Sequence, residues 1–162
     1  MGLPTFASMM HNPAMIIRAA VADDTDDWAT MRAKLWPDVS LDDNRKEVVA
    51  LLGSGSSEFA AFVASDQDGC VVGFAEAALR QDYVNGCDTS PVAFQEGIYV
   101  SPQYQGRGIG KRLALAVQGW AREHGYAELA SDALIDNHAS HVFHAAIGFV
   151  ETERVVYFRH VL

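Results

Sequence analysis

The sequence predicts an α/β domain in which about four helices flank a mixed central sheet of about six to seven strands. Strand-like apolar stretches alternate along the chain with segments whose apolar residues recur at helical spacing. The 162 residues fit one domain, since domains cluster at about 100–150 residues. Hydrophobic residues make up 49% and charged residues 20%, a composition typical of a globular chain rather than a disordered one.

The domain is predicted to begin with a strand and a helix. Residues 16–21 form a short apolar stretch followed by acidic residues, which is typical of a strand. Thr25 can cap the next helix, whose apolar residues recur at helical spacing as far as Trp36. We expect Pro37 to end this helix, because a proline disfavours helical geometry in the residue before it.

A second helix and a hairpin follow. The helix is predicted over residues 41–52, and it ends at the Gly- and Ser-rich segment 53–56. Residues 59–64 and 71–79 are strand-like, and the short segment between them contains the Asp and Gly residues typical of a turn. These two strands are therefore predicted to form a hairpin.

The second half of the chain resumes the alternation of strands and helices. Residues 82–91 are polar and turn-rich, and they are predicted to leave the sheet before strand character resumes over residues 93–100. The glycine-rich turn 101–110 then leads into a helix over residues 109–124. The remaining predicted elements are a strand, a helix and one or two closing strands, over residues 127–131, 137–146 and 149–162.

Charge and cysteine content narrow the possible functions. The chain has 12 Lys and Arg against 21 Asp and Glu, a formal net charge of −9. Binding to a phosphate backbone needs clustered Lys and Arg, so we expect no nucleic-acid partner. Cys70 and Cys87 are too few for a disulfide framework or a zinc site, which indicates free thiols in a reducing, cytoplasmic environment.

The N-terminal residues do not resemble a targeting signal. Residues 1–14 lack a basic region followed by a long apolar core, and no apolar run approaches the ~20 residues of a membrane span. We therefore expect no membrane partner. Residues 1–14 are predicted to form a loose leader, and residues 15–162 a single domain.

The most informative segment runs from Val100 to Arg112. A predicted strand enters it and a predicted helix leaves it, and its glycines allow backbone N–H groups to approach a ligand closely. The N-terminus of a helix adds a positive partial charge and unpaired N–H donors, which together suit a pyrophosphate. Arg107, Lys111 and Arg112 add cations to an otherwise acidic protein. The alternative is a glycine-rich turn with solubilising charges.

Spacing separates this segment from two well-known phosphate motifs. The nucleoside-triphosphate loop needs Gly, four residues and then Gly-Lys-Ser/Thr, but Gln105 stands at the first position and Arg112 at the last. The dinucleotide fingerprint needs a third glycine or alanine where Lys111 stands.

The spacing that does match is Gln-x-x-Gly-x-Gly at Gln105, Gly108 and Gly110. It resembles the coenzyme A loop of the GNAT superfamily of N-acetyltransferases, as does the order of elements over residues 16–162. The resemblance implies that backbone N–H groups of the loop bind the CoA pyrophosphate and that the strand before it pairs with the pantetheine arm. The implied CoA-binding residues are Ile98, Tyr99, Val100, Gln105, Gly106, Arg107, Gly108, Ile109, Gly110, Lys111 and Asn137.

A second segment also resembles the GNAT family, but it departs from the family pattern at one position. Asn137, Ser140, Gly148 and Phe149 fit the family pattern, but His144 stands where these enzymes commonly have the Tyr that protonates the departing CoA thiolate. His144 can donate that proton, since imidazole titrates near neutrality. The alternatives are that it lines the thiol pocket or only packs.

Metal binding and covalent catalysis are not predicted. His138, His141 and His144 recur every three residues, but on a helix the first and third diverge by roughly 120°. No Cys or carboxylate at ligand spacing completes a tetrahedral site. Cys87 has no sequence-placed base to activate it as a nucleophile, so we expect direct transfer without an acyl-enzyme.

Four residues suggest an acceptor pocket. Glu96 precedes Gly97 in a largely apolar strand, where its carboxylate can take a proton from an ammonium group; the alternative is a surface Glu. Asp132 follows the fifth predicted strand, where it can face the acceptor; the alternative is that it caps a helix or a turn. Trp36 and Tyr83 offer flat faces for a sugar ring or a cation, although Trp36 also suits core packing.

A narrower resemblance is found in four segments, residues 35–37, 82–88, 94–98 and 151–155. They are similar to the aminoglycoside 6′-N-acetyltransferases of the chromosomal, dimeric type. The resemblance implies a homodimer that acetylates the 6′-amine of a polycationic aminoglycoside from acetyl-CoA, and so confers resistance. The residues implied to contact the antibiotic are Trp36, Tyr83, Glu96, Asp132 and Glu153, the last acting across the dimer.

Two other functions share these features. One is a GNAT enzyme that acts on a polyamine, another amino sugar or a protein amine, which would use the same cofactor residues. The other is a degenerate GNAT domain that binds CoA as a sensor. An intact loop from Gln105 to Gly110 and the placement of Glu96 argue against the sensor.

Overall fold

A computed structural model of the protein describes residues 15–162. The predicted leader, residues 1–14, lies outside the described residues. Within residues 15–162 the structure has five strands and four α-helices, with short 3₁₀ turns at Ala22–Asp24 and Pro102–Tyr104. In chain order the elements are β1 (Ile16–Ala19), α1 (Thr25–Leu35), α2 (Leu41–Ser54), β2 (Phe59–Ser65), β3 (Val71–Arg80), β4 (Val92–Val100), α3 (Ile109–Glu123), β5 (Leu129–Ala130) and α4 (His138–Ala146).

The strands form one mixed sheet in the order β1-β2-β3-β4-β5. The first four strands pair antiparallel, and β4 and β5 pair parallel, so the predicted α/β class and mixed sheet are confirmed. The pairing of β4 with β5 covers only Ala93↔Leu129 and Phe94↔Ala130. Most of β4 therefore continues beyond its parallel neighbour, toward the glycine-rich loop.

Helices cover the two faces of the sheet. On one face, Leu113 and Val117 of α3 are fully buried in a cluster with residues of β3 and β4. On the other face, Trp28 of α1 and Val48 of α2 pack with Phe74 of β3. The apolar residues of α3 recur at the helical period, which brings Ile109, Leu113 and Val117 to the side that faces the sheet.

A buried charged cluster joins α1, α2 and β3. The Arg32 guanidinium donates to both carboxylate oxygens of Glu76, at 2.6 and 2.8 Å, to Asn44 Oδ1 at 3.1 Å, and it pairs with Glu47 at 2.6 Å. Trp28 Nε1 also donates to Glu76, at 3.1 Å. Burial raises the pKa of Glu76 to about 7 against the opposing effect of Arg32. These contacts satisfy groups that would otherwise be costly to bury.

The predicted number of six to seven strands is wrong for the described residues. Residues 149–162, predicted as one or two closing strands, contain neither helix nor strand in the described structure, and nearly all of their side chains are exposed. Tyr157 and Phe158 are 85% and 93% exposed. A strand exists only when its backbone pairs with a neighbouring strand, and the apolar sequence of this segment does not specify which strand that is.

Two element boundaries also differ from the sequence-based prediction. Thr25 is the first helical residue of α1 rather than its cap, because the 3₁₀ turn leads directly into the helix. The fifth strand has two residues instead of the five predicted, since β5 diverges from β4 after Ala130. No helix among residues 15–162 is both long and apolar enough to cross a membrane.

Candidate active site

A β-bulge sets the position of Glu96. In the pairing of β3 with β4, Glu76 faces Gly97 and the next residue, Ala77, faces Gln95, so Glu96 has no residue opposite it. Such an extra residue bends its strand and redirects its side chain. The bulge was not predicted from the sequence, although a glycine inside a strand, here Gly97, is one of its known signals.

Trp36 lies against the bulge. A Cβ atom added to Gly97 would stand 2.7 Å from Trp36 Cζ2 and Cη2, so only glycine allows the ring to approach this closely. The Arg32 guanidinium lies 4.8 Å from the centroid of the Trp36 ring, and Phe74 meets the ring edge-on. Trp36 is half-buried. The fold therefore brings together two of the predicted acceptor residues, Trp36 and Glu96, from distant parts of the chain.

Arg80, which the sequence-based analysis did not single out, pairs with Glu96. Its Nε donates to Oε1 at 2.9 Å and its Nη2 to Oε2 at 2.7 Å. The guanidinium also lies 4.2 Å from the centroid of the Phe94 ring. The hydrogen bonds to Glu96 raise the pKa of Arg80, and the charges of Glu96 and Asp132 act in the same direction. Asp132, a predicted acceptor residue, is therefore within electrostatic reach of this pair.

The glycine-rich loop has the form expected of an anion site. Gly106 and Gly108 have φ angles of 74° and 76°, a left-handed conformation that favours glycine. No heavy atom lies within 4 Å of a Cβ atom added at either residue, so the space above the loop is open. Gln105 Nε2 donates to the carbonyl oxygen of Val100 at 2.9 Å, which ties the loop to the end of β4.

The helix that follows the loop leaves its N-terminus available. Among the described residues no side chain caps α3, whose N-cap is Gly108. Its first N–H groups and its dipole therefore point toward the loop. Of the three predicted cations, Lys111 is exposed, Arg107 donates to the carbonyl oxygen of Gln103, and Arg112 donates to that of Met15.

His144 lies between α4 and the end of β5. Its Nδ1 is 2.7 Å from the carbonyl oxygen of Ser140, which can only accept, so Nδ1 carries a hydrogen. Its Nε2 is 3.0 Å from Ser131 Oγ, and this hydroxyl also lies 3.2 Å from the carbonyl oxygen of Gln95. The hydrogen bond from Nδ1 thus orients the imidazole, and Nε2 faces the region where β4 and β5 diverge.

Other predicted site residues have structural partners or stand apart. Asn137 is the N-cap of α4, where its Oδ1 accepts from the backbone N–H of Ser140 at 3.1 Å. Tyr83 is 73% exposed. Within residues 15–162, neither the Glu153 side chain nor the Asp132 carboxylate forms a hydrogen bond or an ion pair. The structure therefore does not place Asp132 as a cap.

Neither a metal nor a cysteine nucleophile is suggested by the geometry. Among residues 15–162 there is no group of three or more His, Cys, Asp or Glu side chains that could hold a metal ion. Burial raises the pKa of the Cys87 thiol, and the nearby Glu128 and Asp88 raise it further. A raised pKa keeps the thiol protonated and therefore weakly nucleophilic.

Comparison with known proteins agrees with the resemblance found in the sequence. The chain matches the acetyltransferase (GNAT) family over residues 23–149. An aminoglycoside N(6′)-acetyltransferase type 1 from Stenotrophomonas maltophilia is 51% identical over 146 residues, covering 90% of this chain and 93% of that protein.

Solved structures of two complexes share the fold. Aminoglycoside N-acetyltransferase AAC(6′)-Iy with CoA superimposes with a TM-score of 0.86 at 40% identity, covering 93% of this chain and 97% of that one. Its complex with the bisubstrate analogue CoA-S-monomethyl-acetylneamine gives a TM-score of 0.84 at 41% identity, covering 92% and 99%. The family match over residues 23–149 includes the loop, β4 and α4. The chain therefore belongs to the acetyltransferase (GNAT) family, alongside the aminoglycoside N(6′)-acetyltransferases of type 1.

Proposed function

We propose that the protein transfers an acetyl group from acetyl-CoA to the 6′-amino group of aminoglycosides by direct attack in a ternary complex. One observation carries this proposal. The strand β4 presents the Glu96 carboxylate at its bulge and runs on, four residues later, into an open anion-binding loop at the N-terminus of α3. An acid–base group and a cofactor site are thereby held on one rigid element. The named relatives, at up to 51% identity, support the choice of acceptor.

The loop residues fit the phosphates of CoA. The positive φ angles of Gly106 and Gly108 turn the backbone, and the uncapped N-terminus of α3 supplies N–H donors. Acetyl-CoA supplies an activated thioester. The residues assigned to its binding are Ile98, Tyr99, Val100, Gln105, Gly106, Arg107, Gly108, Ile109, Gly110, Lys111 and Asn137.

The chemistry needs a base for the acceptor and an acid for the leaving group. Glu96 takes a proton from the acceptor's ammonium group, and the freed amine forms a C–N bond to the thioester carbon. A backbone N–H near Val100 stabilises the negative oxygen of the tetrahedral intermediate. The C–S bond then breaks as the acceptor nitrogen loses its second proton to Glu96, which has passed the first proton to water, and His144 donates a proton to the departing thiolate. Holding both substrates together supplies much of the rate.

The acceptor is a polycation, and the proposed pocket is acidic. Glu96 and Asp132 provide carboxylates whose charges both act on Arg80, and Trp36, which lies against Gly97, provides a flat wall. Charge-assisted hydrogen bonds between ammonium groups and carboxylates are about twice as strong as neutral ones. Tyr83 and Glu153 are assigned to the same pocket. Acetylation removes one positive charge from the antibiotic, and the proposed role in the cell is resistance, exerted in the cytoplasm.

We also propose that the protein is a homodimer. The exposed segment 149–162 carries large apolar side chains such as Tyr157 and Phe158 without pairing to the sheet. Beside β5 lies a cleft of about 480 Å³, lined by residues that include Tyr126, Leu129 and Thr152. Apolar residues at an open sheet edge support association between copies of the chain. In this arrangement Glu153 of the partner subunit completes the acceptor pocket.

The central test is a thiol-release assay with acetyl-CoA across kanamycin-type aminoglycosides, polyamines and lysine peptides. We expect turnover of aminoglycosides with a 6′-amine and none of analogues with a 6′-hydroxyl. Turnover of polyamines or peptides instead would show that the acceptor is one of these amines and not an aminoglycoside.

Glu96 is tested separately from the acceptor identity. Glu96→Gln should lower kcat by about 10²-fold or more, since general bases contribute that much, while acetyl-CoA binding stays nearly unchanged. Glu123→Gln, at the end of α3, is the matched control and should be neutral. Unchanged kcat in Glu96→Gln would remove this residue from the chemistry.

A further inference from the structure

We propose that Arg80 is a positioning residue for the acetyl transfer, one that holds the Glu96 carboxylate in the orientation in which it meets the acceptor amine. This inference rests on the proposed function, because it gives Arg80 a role through Glu96.

The pairing geometry leaves Glu96 able to act. Arg80 forms two parallel hydrogen bonds, from Nε to Oε1 at 2.9 Å and from Nη2 to Oε2 at 2.7 Å. A guanidinium is a planar fork, so two such bonds fix the plane of the carboxylate as well as its position. Each carboxylate oxygen has two lone pairs. One on each oxygen therefore remains for an acceptor ammonium group.

Arg80 is itself held in place. Its guanidinium stacks 4.2 Å from the centroid of the Phe94 ring, and Phe94 is 6% exposed. Phe94 precedes Glu96 by two residues on β4, and Arg80 is the last residue of β3. The ring thus supports the guanidinium from one face, while the edge of the guanidinium binds the carboxylate across two paired strands.

The bulge explains why such a tie is needed. Glu96 has no residue opposite it on β3, so the regular ladder does not determine the direction of its side chain. Its side chain is 29% exposed, which leaves room for other rotamers. The bidentate bonds from Arg80 restrict the carboxylate to one of them.

The charges remain suited to a cationic acceptor. Glu96 pairs directly with Arg80, and the charge of Asp132 also acts on this guanidinium from a distance, so the three side chains together carry a net charge of −1. A contrary role is that Arg80 competes with the acceptor for Glu96. That role predicts tighter acceptor binding when Arg80 is removed, the opposite of what positioning predicts.

The kinetic test is a double-mutant cycle between Arg80 and Glu96. We expect Arg80→Gln to lower kcat/KM for an aminoglycoside by about 10–100-fold, as for a lost hydrogen bond to a charged group, with KM for acetyl-CoA unchanged. Arg80→Lys, which keeps the charge but not the fork, should rescue part of the loss. In the Glu96→Gln background, Arg80→Gln should cost less than about twofold, because coupled residues do not add. Additive losses, unchanged kcat/KM, or a lower acceptor KM would overturn the proposal.

A crystal structure of the Arg80→Gln protein gives a readout independent of turnover. We expect the Glu96 side chain to adopt other rotamers in Arg80→Gln, and to keep its wild-type rotamer in Arg80→Lys. A Glu96 side chain unchanged in Arg80→Gln would overturn the proposal even if the acceptor is not an aminoglycoside. Failure of the wild-type protein to acetylate any 6′-amine would instead defeat the proposed function alone.

Discussion

Three side chains at the centre of the site depend on contacts from elsewhere in the chain. Glu96 is held by Arg80 of β3, Trp36 lies over Gly97, and His144 Nε2 lies 3.0 Å from Ser131 Oγ after β5. In each case a neighbour limits the rotamers of the functional group. Such fixed orientation is what catalysis by positioned acids and bases requires, since a misplacement of about 1 Å is costly.

His144 offers the first prediction at this scale. His144→Gln should lower kcat by about 10²-fold, because the thiolate loses its proton donor, and should leave the KM for acetyl-CoA near the wild-type value. The measurement is steady-state thiol release. His138→Gln, an exposed histidine on the same helix, is the control and should be neutral. Wild-type kcat in His144→Gln would mean that the ring only lines the pocket.

At the scale of elements, β4 organises the whole site. It pairs with β3 along its length and with β5 for only two residues, and it ends at the loop that precedes α3. Its bulge carries Glu96, the proposed acid–base group, and its C-terminal half is left without the parallel neighbour β5. A parallel pair that ends early therefore creates the space that an extended cofactor arm needs.

The contact between Gly97 of β4 and Trp36, the residue after α1, gives the second prediction. Gly97→Ala would place a Cβ atom 2.7 Å from the Trp36 ring, so the ring must move. Overpacking of this kind costs about 1–3 kcal/mol, and we expect this loss in urea unfolding together with a raised KM for the acceptor.

The matched control is Gly119→Ala in α3, where no atom lies within 4 Å of the added Cβ. It should be neutral or stabilise the protein by about 0.5–1 kcal/mol, the usual difference between Gly and Ala in a helix. An acceptor KM that stays at the wild-type value in Gly97→Ala would show that Trp36 does not form part of the acceptor pocket.

The whole chain has a net charge of −9, and the charged side chains of the proposed site are distributed unevenly. Arg107 and Lys111 lie at the loop assigned to the anionic cofactor, whereas Glu96 and Asp132 lie at the end assigned to the cationic acceptor. The acidic excess attracts a polycation over a distance, and screening by salt weakens that attraction.

The exposed C-terminal segment gives the prediction at the molecular scale. Wild-type protein should sediment at twice the chain mass, and the double variant Tyr157→Ser/Phe158→Ser should shift toward monomer, because it removes apolar surface from the proposed interface. Val49→Ser, at a 56% exposed apolar position on α2, is the control and should stay dimeric. A wild-type monomer at micromolar concentration would contradict the dimer.

Local sequence signals predicted much of this protein. The first helix follows from apolar periodicity, the other three were predicted close to their observed bounds, and the strands follow along the chain from apolar runs separated by turn residues. The glycine spacing at Gln105, Gly108 and Gly110 identified the family, because backbone conformation at a phosphate loop is a local property of glycine. These features involve residues close together in the chain.

The tertiary structure decided what depends on partners distant in the chain. The bulge at Glu96 depends on the register of β3 against β4, and the stack of Arg80 on Phe94 depends on the same pairing. The two-residue length of β5 and the unpaired state of residues 149–162 likewise depend on which backbone groups find partners. The sequence by itself determined the family and the loop, whereas strand pairing determined how the acid–base group is aimed, since a side chain's direction on a sheet is set by its register.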